Sequence, residues 1–299
     1  MKIAITTPTG HIGSQLTKLL LDRGGHQLSL LVRDPSKVAA HTSRGAKAVK
    51  VDLENAAQVS AALAGAESVF LLVPPRTDVA DMRAYQNRVG DNFAAAVKAN
   101  KIKRVVFLSS YGAQHNKGTG PIAGLHDIEQ KLNAALKETG GNITHLRPGS
   151  FMENWFMSVG SIKDQGAVYA PIKGDEKMPM IATADIATVA ADVLADPKWS
   201  GNNVRELLGP RDYTYAEGVK IISEALGKPV KFVQVPPEQA LQAMTAMGLS
   251  ANVASTYVEM YAGVQNGLVK ALEARNARNT TPTKLEDFAR TRLAPAIKG

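Results

Sequence analysis

The residues that follow the first predicted strand have the types and the spacing that suit phosphate binding. They read TPTGHIG at positions 7 to 13, between an apolar segment, KIAIT, and a helical pattern. In a strand–turn–helix unit of this kind, backbone N–H groups and the positive end of the helix can bind a pyrophosphate. We expect Gly10 to allow close approach of the ligand and Gly13 to allow the helix to pack on the strand.

Thr7 occupies the place at which a dinucleotide-binding turn normally carries its first glycine. A threonine is tolerated there if its φ angle stays negative, and the adjacent Pro8 has its own φ fixed near about −65°. The hydroxyl groups of Thr7 and Thr9 are available to phosphate oxygens. The predicted cofactor-binding turn consists of Thr7, Thr9, Gly10, His11, Ile12 and Gly13. The glycine spacing alone fits a turn without a ligand equally well, so other residues must decide.

The end of the second predicted strand indicates which dinucleotide would bind. An acidic residue about 20 residues beyond the glycines would bind the ribose hydroxyls of NAD, but the sequence here reads LLVRDPSK. Arg33 takes the place next to the adenosine ribose, and Lys37 follows one helical turn later. Because a guanidinium binds a 2′-phosphate through charge-assisted hydrogen bonds, the sequence predicts that NADP(H) is preferred over NAD(H). Asp34 opposes this interpretation, and we take it as the cap of a helix beginning at Pro35.

Three further strand ends add candidate residues. Asp52 follows the third strand and is expected at the adenine edge, although a surface turn explains it almost as well. Pro74 and Pro75 follow the fourth strand and predict a stiff loop that forms a wall of the cofactor site. Arg76, just beyond, is expected in solvent. Ser109, Ser110 and Tyr111 follow the fifth strand, and one of their hydroxyls is predicted to meet the nicotinamide or the acceptor oxygen.

The elements that must position these residues alternate between short apolar runs and longer amphipathic segments. This alternation predicts an α/β fold with a doubly wound parallel Rossmann sheet over residues 1–150, whose ligand crevice lies at the carboxyl ends of the strands. The predicted strands are KIAIT from Lys2, QLSLLV from Gln27, AVKVD from Ala48, SVFLLV from Ser68, RVVFLS from Arg104 and ITHLRP from Ile143. The predicted helices begin near His11, Pro35, Asn55, Asp78 and His126.

The alternation loosens after about residue 150. We predict that residues 151–299 form a smaller α/β lobe that binds substrate and is partly threaded back onto the Rossmann sheet. No internal repeat and no low-complexity linker separates the two parts. A clean boundary between domains is therefore not expected.

Composition excludes several kinds of chemistry. The 299 residues include no Cys, so disulfides, thiolate zinc sites and a cysteine nucleophile are excluded. The six His residues show no paired ligand spacing, and no metal is predicted. The net charge is +8, but the basic residues are scattered, so nucleic acid is not an expected partner. No apolar run approaches the ~18 residues of a membrane span, and we expect a cytoplasmic protein; a homodimer is left open.

Several motifs occur in the order typical of one family. They are TTPTGHIG, LLVRDP, RVVFLSSYGA, HDIEQKL, HLRPGSFMEN, TADIA and LLGPRDYTYAEGVKIISEALGKPV. Over about residues 1–240 the chain resembles the NmrA-like branch of the atypical short-chain dehydrogenases, and in particular its NADPH:quinone oxidoreductase-like members. The resemblance implies an extended sheet and a small C-terminal lobe that covers the nicotinamide. It also implies one of two roles, an NADPH-dependent reductase of quinones and related acceptors or a catalytically silent cofactor sensor.

The usual catalytic pair of short-chain dehydrogenases, a Tyr four residues before a Lys, is absent. Counting back four residues from Lys131 gives Asp127. On a helix that begins near His126, Asp127 and Lys131 share one face and His126 lies on another, so only one face can meet the crevice. Lys131 is a candidate for binding the nicotinamide ribose, His126 for orienting substrate or relaying a proton, and Tyr111 for a backup acid. An exposed ion pair between Asp127 and Lys131 fits the pattern equally well.

The missing Tyr argues against alcohol-forming reduction more than against reduction in general. Hydride addition to a quinone yields a phenolate-type anion whose conjugate acid has a pKa near ~10, so positioned N–H donors and solvent can suffice. After the sixth strand, Phe151, Met152 and Trp155 are candidates for a flat apolar wall, and Asn154 for a directional donor. Core packing between the two lobes explains the same aromatic residues.

Together these residues predict an NADPH-dependent oxidoreductase that transfers hydride to a planar conjugated small molecule, with a quinone favoured. Two alternatives stay open: a silent NADP(H)-sensing regulatory protein, and a biosynthetic reductase of an imine or an enone.

Overall fold

The computed structural model describes residues 1–299. The twelve strands are β1 (Lys2–Thr6), β2 (Gln27–Val32), β3 (Lys47–Lys50), β4 (Ser68–Leu71), β5 (Arg104–Leu108), β6 (Asn142–Pro148), β7 (Ser150–Phe151), β8 (Ala167–Ala170), β9 (Lys177–Ile181), β10 (Asn202–Leu207), β11 (Asp212–Thr214) and β12 (Lys231–Gln234). The twelve α-helices are α1 (His11–Arg23), α2 (Ala39–Thr42), α3 (Ala56–Ala62), α4 (Met82–Ala99), α5 (Pro121–Thr139), α6 (Val159–Gln165), α7 (Thr183–Ala195), α8 (Tyr215–Leu226), α9 (Pro237–Ala246), α10 (Ala251–Gln265), α11 (Leu285–Phe288) and α12 (Ala294–Lys298). Two short 3₁₀ helices cover Pro35–Val38 and Met152–Ser158.

Seven parallel strands form the main sheet, in the order β10-β6-β5-β4-β1-β2-β3. The order reverses at β1, which lies between β2 and β4. Loops on the two sides of such a reversal point apart, and a crevice opens at the carboxyl ends of these strands. The predicted α/β fold class and the six predicted strands of the first half are confirmed.

Helices cover both faces of this sheet, because the strands are apolar on both sides. On one face, α1 and α7 bury residues such as Leu16 and Ile186 against β1 and β2. On the other face, α3, α4 and α5 bury residues such as Phe93 and Leu132 against β4 and β5. The two layers hold β1 rigidly, so the turn that follows β1 starts from a fixed point.

The second half builds a smaller structure with its own core. A three-stranded sheet has the order β11-β9-β7, and β12 pairs with β8. Around these strands, α6, α8, α11 and α12 bury residues such as Trp155, Tyr213 and Phe288. Helix α8 begins with a capping box, in which Thr214 and Glu217 each accept a hydrogen bond from the other's backbone N–H.

Part of the second half returns to the large sheet. Helix α7 packs on α1, and β10 pairs with β6 at the edge. The chain therefore crosses between the two structures, and the division near residue 150 stays a proposal. No helix combines the length and apolar character that crossing a bilayer requires.

Two helix starts differ from the prediction. Helix α5 begins at Pro121, not near His126: Gly120 adopts a positive φ of 59°, and Pro121 opens the helix, a position that proline favours. Helix α4 begins at Met82, not at Asp78, because the side chain of Asp81 caps it by accepting from the N–H of Ala84 at 2.8 Å. The residues between β4 and Asp81 are therefore free to form a loop.

The interpretation of Asp34 as a cap is confirmed, although the helix is a 3₁₀ turn. Its Oδ1 accepts from the N–H of Ser36 at 3.0 Å and from the hydroxyl of Ser36 at 2.7 Å. These hydrogen bonds lower the pKa of the Asp34 carboxyl.

His145 on β6 makes the stability of the fold depend on pH. Its ring is buried, meets the ring of Phe107 edge to face, and has Nε2 2.7 Å from Oδ1 of Asn133. An amide oxygen only accepts, so Nε2 carries the proton of a neutral ring. Burial lowers the pKa of His145 from 6.5 to about 4.

We therefore predict that acid destabilises the protein through His145. Between pH 6.5 and pH 4 the unfolded chain binds one proton more than the folded chain at this residue, so the free energy of unfolding falls by up to about 1.4 kcal/mol per pH unit as the pH falls. Urea unfolding of the wild type and of His145→Gln across this range measures the effect. Glutamine can still donate to Asn133 but does not titrate, so the variant should lose this slope. Parallel pH profiles for the two proteins would contradict the assignment.

Candidate cofactor and active site

A cavity of about 1000 Å³ opens at the carboxyl ends of the central strands and extends to the segment after β6. This volume is at the upper end of the range for small-molecule sites. The residues singled out in the sequence that line it are Thr7, Thr9, Gly10, His11, Ile12, Gly13, Arg33, Lys37, Asp52, Pro74, Phe151 and Asn154. The fold thus brings together residues from five separate segments of the chain.

The turn after β1 forms one wall of this cavity. Its ends are joined by a hydrogen bond of 3.1 Å from the N–H of Gly10 to the carbonyl oxygen of Thr7. Helix α1 approaches the turn so closely that a Cβ on Gly13 would lie 2.2 Å from the same oxygen. The need for glycine at position 13 is therefore explained, although the contact is with the turn itself.

The expectation of a negative φ at Thr7 is wrong. Thr7 has a φ of 51°, in the left-handed region that costs a threonine about 1–2 kcal/mol. Its hydroxyl oxygen is also buried and has no hydrogen-bond partner within the protein. Unfavourable backbone geometry and an unsatisfied polar atom thus coincide at a residue that lines the cavity.

Arg33 and Lys37 form the cationic end of the cavity, and both side chains are exposed. Asp34 is the nearest acid in the chain, but its carboxylate accepts hydrogen bonds from Ser36. Asp52 also lines this end, where its Oδ1 accepts from the N–H of Glu54 at 3.0 Å. The phosphates of a dinucleotide would find cations at this end of the cavity. Asp52, where the sequence predicts the adenine edge, lines the same end.

The loop after β4 forms the opposite wall. The hydroxyl of Tyr85 donates to the carbonyl oxygen of Pro74 at 2.9 Å and holds this stiff loop in place. Arg76 was expected in solvent, but it lines the cavity, and its Nε lies 2.6 Å from Oδ1 of Asp78. Arg76 also pairs with Glu54, 3.3 Å away in the loop after β3; its place in the sequence does not reveal this contact.

The apolar end of the cavity comes from the segment after β6. The 3₁₀ helix there has about three residues per turn, so Phe151, Asn154 and Met157 recur on one side, and all three line the cavity together with Phe156. Trp155 does not line it: the indole packs against Gly218 and Tyr215 in the core of the second half. Phe151 therefore lies on the wall that the sequence predicts, whereas Met152 and Trp155 are buried in the second core and Phe156 and Met157 line the cavity instead.

Two further residues at this end were missed in the sequence. Glu153 and Thr183 both line the cavity, and the Glu153 carboxylate accepts from the hydroxyl of Thr183 at 2.6 Å and from its N–H at 3.0 Å. Glu153 thereby caps the start of α7. In the sequence, the only indication of a role for Thr183 is that it begins the TADIA motif.

Tyr111 and Ser109 lie outside the cavity wall. The Tyr111 hydroxyl donates to the carbonyl oxygen of Val269 at 2.8 Å, and burial raises the pKa of Tyr111 well above its usual value. Ser109 is buried, and its hydroxyl has no partner. In this arrangement Tyr111 holds the chain after α10 in place and is a poor proton donor.

His126 and Lys131 also lie outside the cavity wall. Nδ1 of His126 is 2.8 Å from the carbonyl oxygen of Ala113, so the ring holds the loop after β5. Nζ of Lys131 is 2.6 Å from Asp91 on α4, and Asp127 pairs with Arg83 on the same helix at 2.8 Å. The alternative of an ion pair between Asp127 and Lys131 is therefore wrong, because each pairs with α4 instead.

The parallel sheet, the turn after β1 and the cavity at the sheet reversal define an α/β protein of the dinucleotide-binding class. The chain belongs to the NmrA-like family, whose model matches residues 1–289. This confirms the family resemblance seen in the motifs.

Relatives of known activity cover most of the chain. The NAD(P)H azoreductase of Xenophilus azovorans is 32% identical over 260 residues, which are 87% of this chain and 86% of that protein. Quinone oxidoreductase 2 of Escherichia coli is 27% identical over 266 residues, 89% of this chain and 88% of that protein. The crystal structure of the NADPH-dependent quinone oxidoreductase of Escherichia coli with NADPH matches with a TM-score of 0.76 at 24% identity, covering 99% of this chain and 98% of that chain. The last likeness shows that the fold is shared.

We predict that Gly13→Ala disrupts both the turn and the cofactor site. The added methyl group would lie 2.2 Å from the Thr7 oxygen, and relieving such a clash costs about 1–3 kcal/mol. Gly10→Ala is the matched control, because its Cβ would lie 3.6 Å from that oxygen and poor N-capping by Ala costs at most about 1 kcal/mol. Thermal unfolding compares the two variants, and calorimetric titration with NADPH measures the loss of binding in Gly13→Ala. Equal melting temperatures would show that the contact at Gly13 does not hold the turn.

Proposed function

We propose that this NAD(P)H-dependent oxidoreductase transfers hydride from NADPH to a planar conjugated acceptor, with quinones as the favoured class. One observation carries the proposal: a single cavity runs from the cations Arg33 and Lys37, past the turn at Gly10, to an apolar wall at Phe156 and Met157. A dinucleotide needs cations at one end of its site, because its phosphates are anionic. At the other end it needs a surface on which an acceptor can meet the nicotinamide.

The residues of the cavity fit NADPH. Arg33 and Lys37 would hold the 2′-phosphate, and the N–H groups at the start of α1 would hold the pyrophosphate. The unpartnered hydroxyl of Thr7 would gain a hydrogen bond from or to the cofactor. When bound, the reduced nicotinamide would supply the hydride, and Arg33 and Lys37 would orient the dinucleotide so that its other end meets Phe151 and Asn154.

The acceptor would lie on the apolar wall. Phe151, Phe156 and Met157 offer a surface on which a flat conjugated ring system packs, and the Asn154 amide can donate to the oxygen that gains charge. No residue of this wall is a free acid, since Glu153 is engaged with Thr183. An acceptor whose reduced form is a weakly basic phenolate-type anion therefore suits the site best, with solvent as the proton source.

An aromatic azo compound is a second candidate acceptor. It is also flat and conjugated, and the NAD(P)H azoreductase of Xenophilus azovorans shares 32% identity over 87% of this chain. The same apolar wall would support either ring system. Quinones and azo compounds therefore belong in the same assay.

We predict that Arg33→Ala weakens NADPH binding selectively. Loss of hydrogen bonds to a charged phosphate costs about 1.5–3 kcal/mol, or roughly 10- to 100-fold in affinity. NADH lacks this phosphate and should lose less than about threefold. Isothermal titration calorimetry with both nucleotides measures the difference, and Arg44→Ala, which removes an arginine paired with Asp22, is the control. An equal loss for NADPH and NADH would remove the argument for the 2′-phosphate.

We predict that the protein oxidises NADPH in the presence of quinones or azo dyes. The decay of nicotinamide absorbance under anaerobic conditions measures the rate without reoxidation of the product. Met157→Ala should raise the KM for the acceptor several-fold without changing NADPH affinity, because Met157 lines the acceptor wall. Met247→Ala removes an exposed methionine outside the cavity and is the control. Tight NADPH binding with no turnover for any acceptor would favour a cofactor-sensing regulator instead.

A further inference from the structure

Arg76 differs from the other cations of the cavity in how its charge is balanced. Its guanidinium is bound in plane by two carboxylates: Nε and Nη2 lie 2.6 and 2.9 Å from Asp78, and Nη1 lies 3.3 Å from Glu54. Glu54 also pairs with Arg88 at 3.1 Å. These two arginines and two carboxylates form a group with no net charge. Arg76 is therefore poorly suited to attract a phosphate, in contrast to Arg33.

Arg76 can contact a ligand through the flat face of its guanidinium. A guanidinium has its five N–H donors in one plane, and each of the three nitrogens of Arg76 donates one hydrogen bond to a carboxylate. The guanidinium carbon lies over the ring of Tyr85, 5.8 Å from the ring centroid. Arg76 also lines the cavity, and its side chain is 35% exposed. Arginine planes stack on aromatic and heteroaromatic rings in this manner.

The loop that carries Arg76 is held in place by three hydrogen bonds from two residues, Tyr85 and Ser250. The Tyr85 hydroxyl binds the carbonyl oxygen of Pro74 at 2.9 Å. Ser250, at the start of α10, donates its N–H to the carbonyl oxygen of Thr77 at 2.8 Å and its hydroxyl to that of Val79 at 2.6 Å. The orientation of Arg76 is thus set before a ligand binds, which reduces the entropy cost of using it.

We infer that Arg76 is a stacking platform for the adenine ring of the dinucleotide, and that it strengthens binding whether or not the 2′-phosphate is present. This inference rests on the proposed function, because it takes the end of the cavity near Arg33 and Asp52 as the adenosine end. Arg33 then selects between the two dinucleotides, whereas Arg76 contributes equally to both. Two arginines at one end of the cavity have different tasks because only one of them is neutralised by carboxylates.

Calorimetric titration of Arg76 variants with NADPH and NADH tests this assignment. Arg76→Ala should weaken both nucleotides by a similar factor, on the order of ten-fold. Arg76→Lys keeps a cation near Asp78 and Glu54 but loses the flat face, so it should also weaken both. Arg76→Trp restores a flat surface without charge and should recover affinity relative to Arg76→Ala. Arg88→Ala, which removes the other partner of Glu54 outside the cavity wall, should change neither affinity by more than about twofold.

The outcomes separate this inference from the proposed function. If the wild type binds no pyridine nucleotide, the proposed function fails. If the wild type binds but Arg76→Ala is silent, or loses only NADPH, Arg76 is not an adenine platform. If Arg88→Ala is as damaging as Arg76→Ala, the ion-pair group acts by supporting the loop and the stacking role is overturned. Should Arg76→Ala not fold, Arg76→Lys and Arg76→Trp decide by whether a flat side chain or a charge restores binding.

Discussion

The cofactor site depends on one close contact, between the start of helix α1 and the carbonyl oxygen of Thr7. Only a glycine at position 13 permits this approach, and the approach sets where the positive end of α1 lies relative to the cavity. In this geometry the backbone of Thr7 adopts a left-handed conformation, and its hydroxyl has no hydrogen-bond partner. Local strain of this kind persists where the surrounding structure enforces it, and it is concentrated at functional sites. Here the surrounding structure is β1, fixed by helices on both faces of the sheet.

The distribution of charge along the cavity then orients the ligand. Arg33 and Lys37 are not neutralised within the protein, while Arg76 is paired with two carboxylates. The other end carries Phe156, Met157 and the Glu153 carboxylate, and no cation. Under the proposed function, the phosphates of a dinucleotide would be drawn toward the cationic end, and the nicotinamide would lie beside the apolar wall. Orientation follows from electrostatics and from the absence of competing cations at the far end.

The sequence was sufficient where the structure depends on local pattern. The strands β1 to β6, the turn at Gly10 and Gly13, and the cations after β2 all follow from short motifs whose meaning does not depend on distant residues. Prediction was not possible where contacts join remote segments. The hydroxyl of Tyr111 binds Val269, 158 residues away, and no local pattern reveals that this tyrosine is occupied. Trp155 was misplaced for the same reason, because its indole packs against Gly218 and Tyr215 in the core of the second half.

The candidate catalytic side chains are all engaged in structural contacts, and this limits the reactions that the site can catalyse. Tyr111, His126 and Lys131 each have a structural partner, and none lines the cavity. A reaction that forms a strongly basic alkoxide needs a proton in its transition state, and the cavity wall has no acid placed to give one. The site therefore favours acceptors whose anion, formed by hydride addition, is weakly basic. Under the proposed function, acceptors that delocalise the new charge over an aromatic system would need only the Asn154 amide and water, whereas simple ketones would react slowly however well they fit. An NAD(P)H-dependent oxidoreductase of this fold can therefore dispense with the catalytic tyrosine of other short-chain dehydrogenases, provided that its acceptor stabilises the new charge itself.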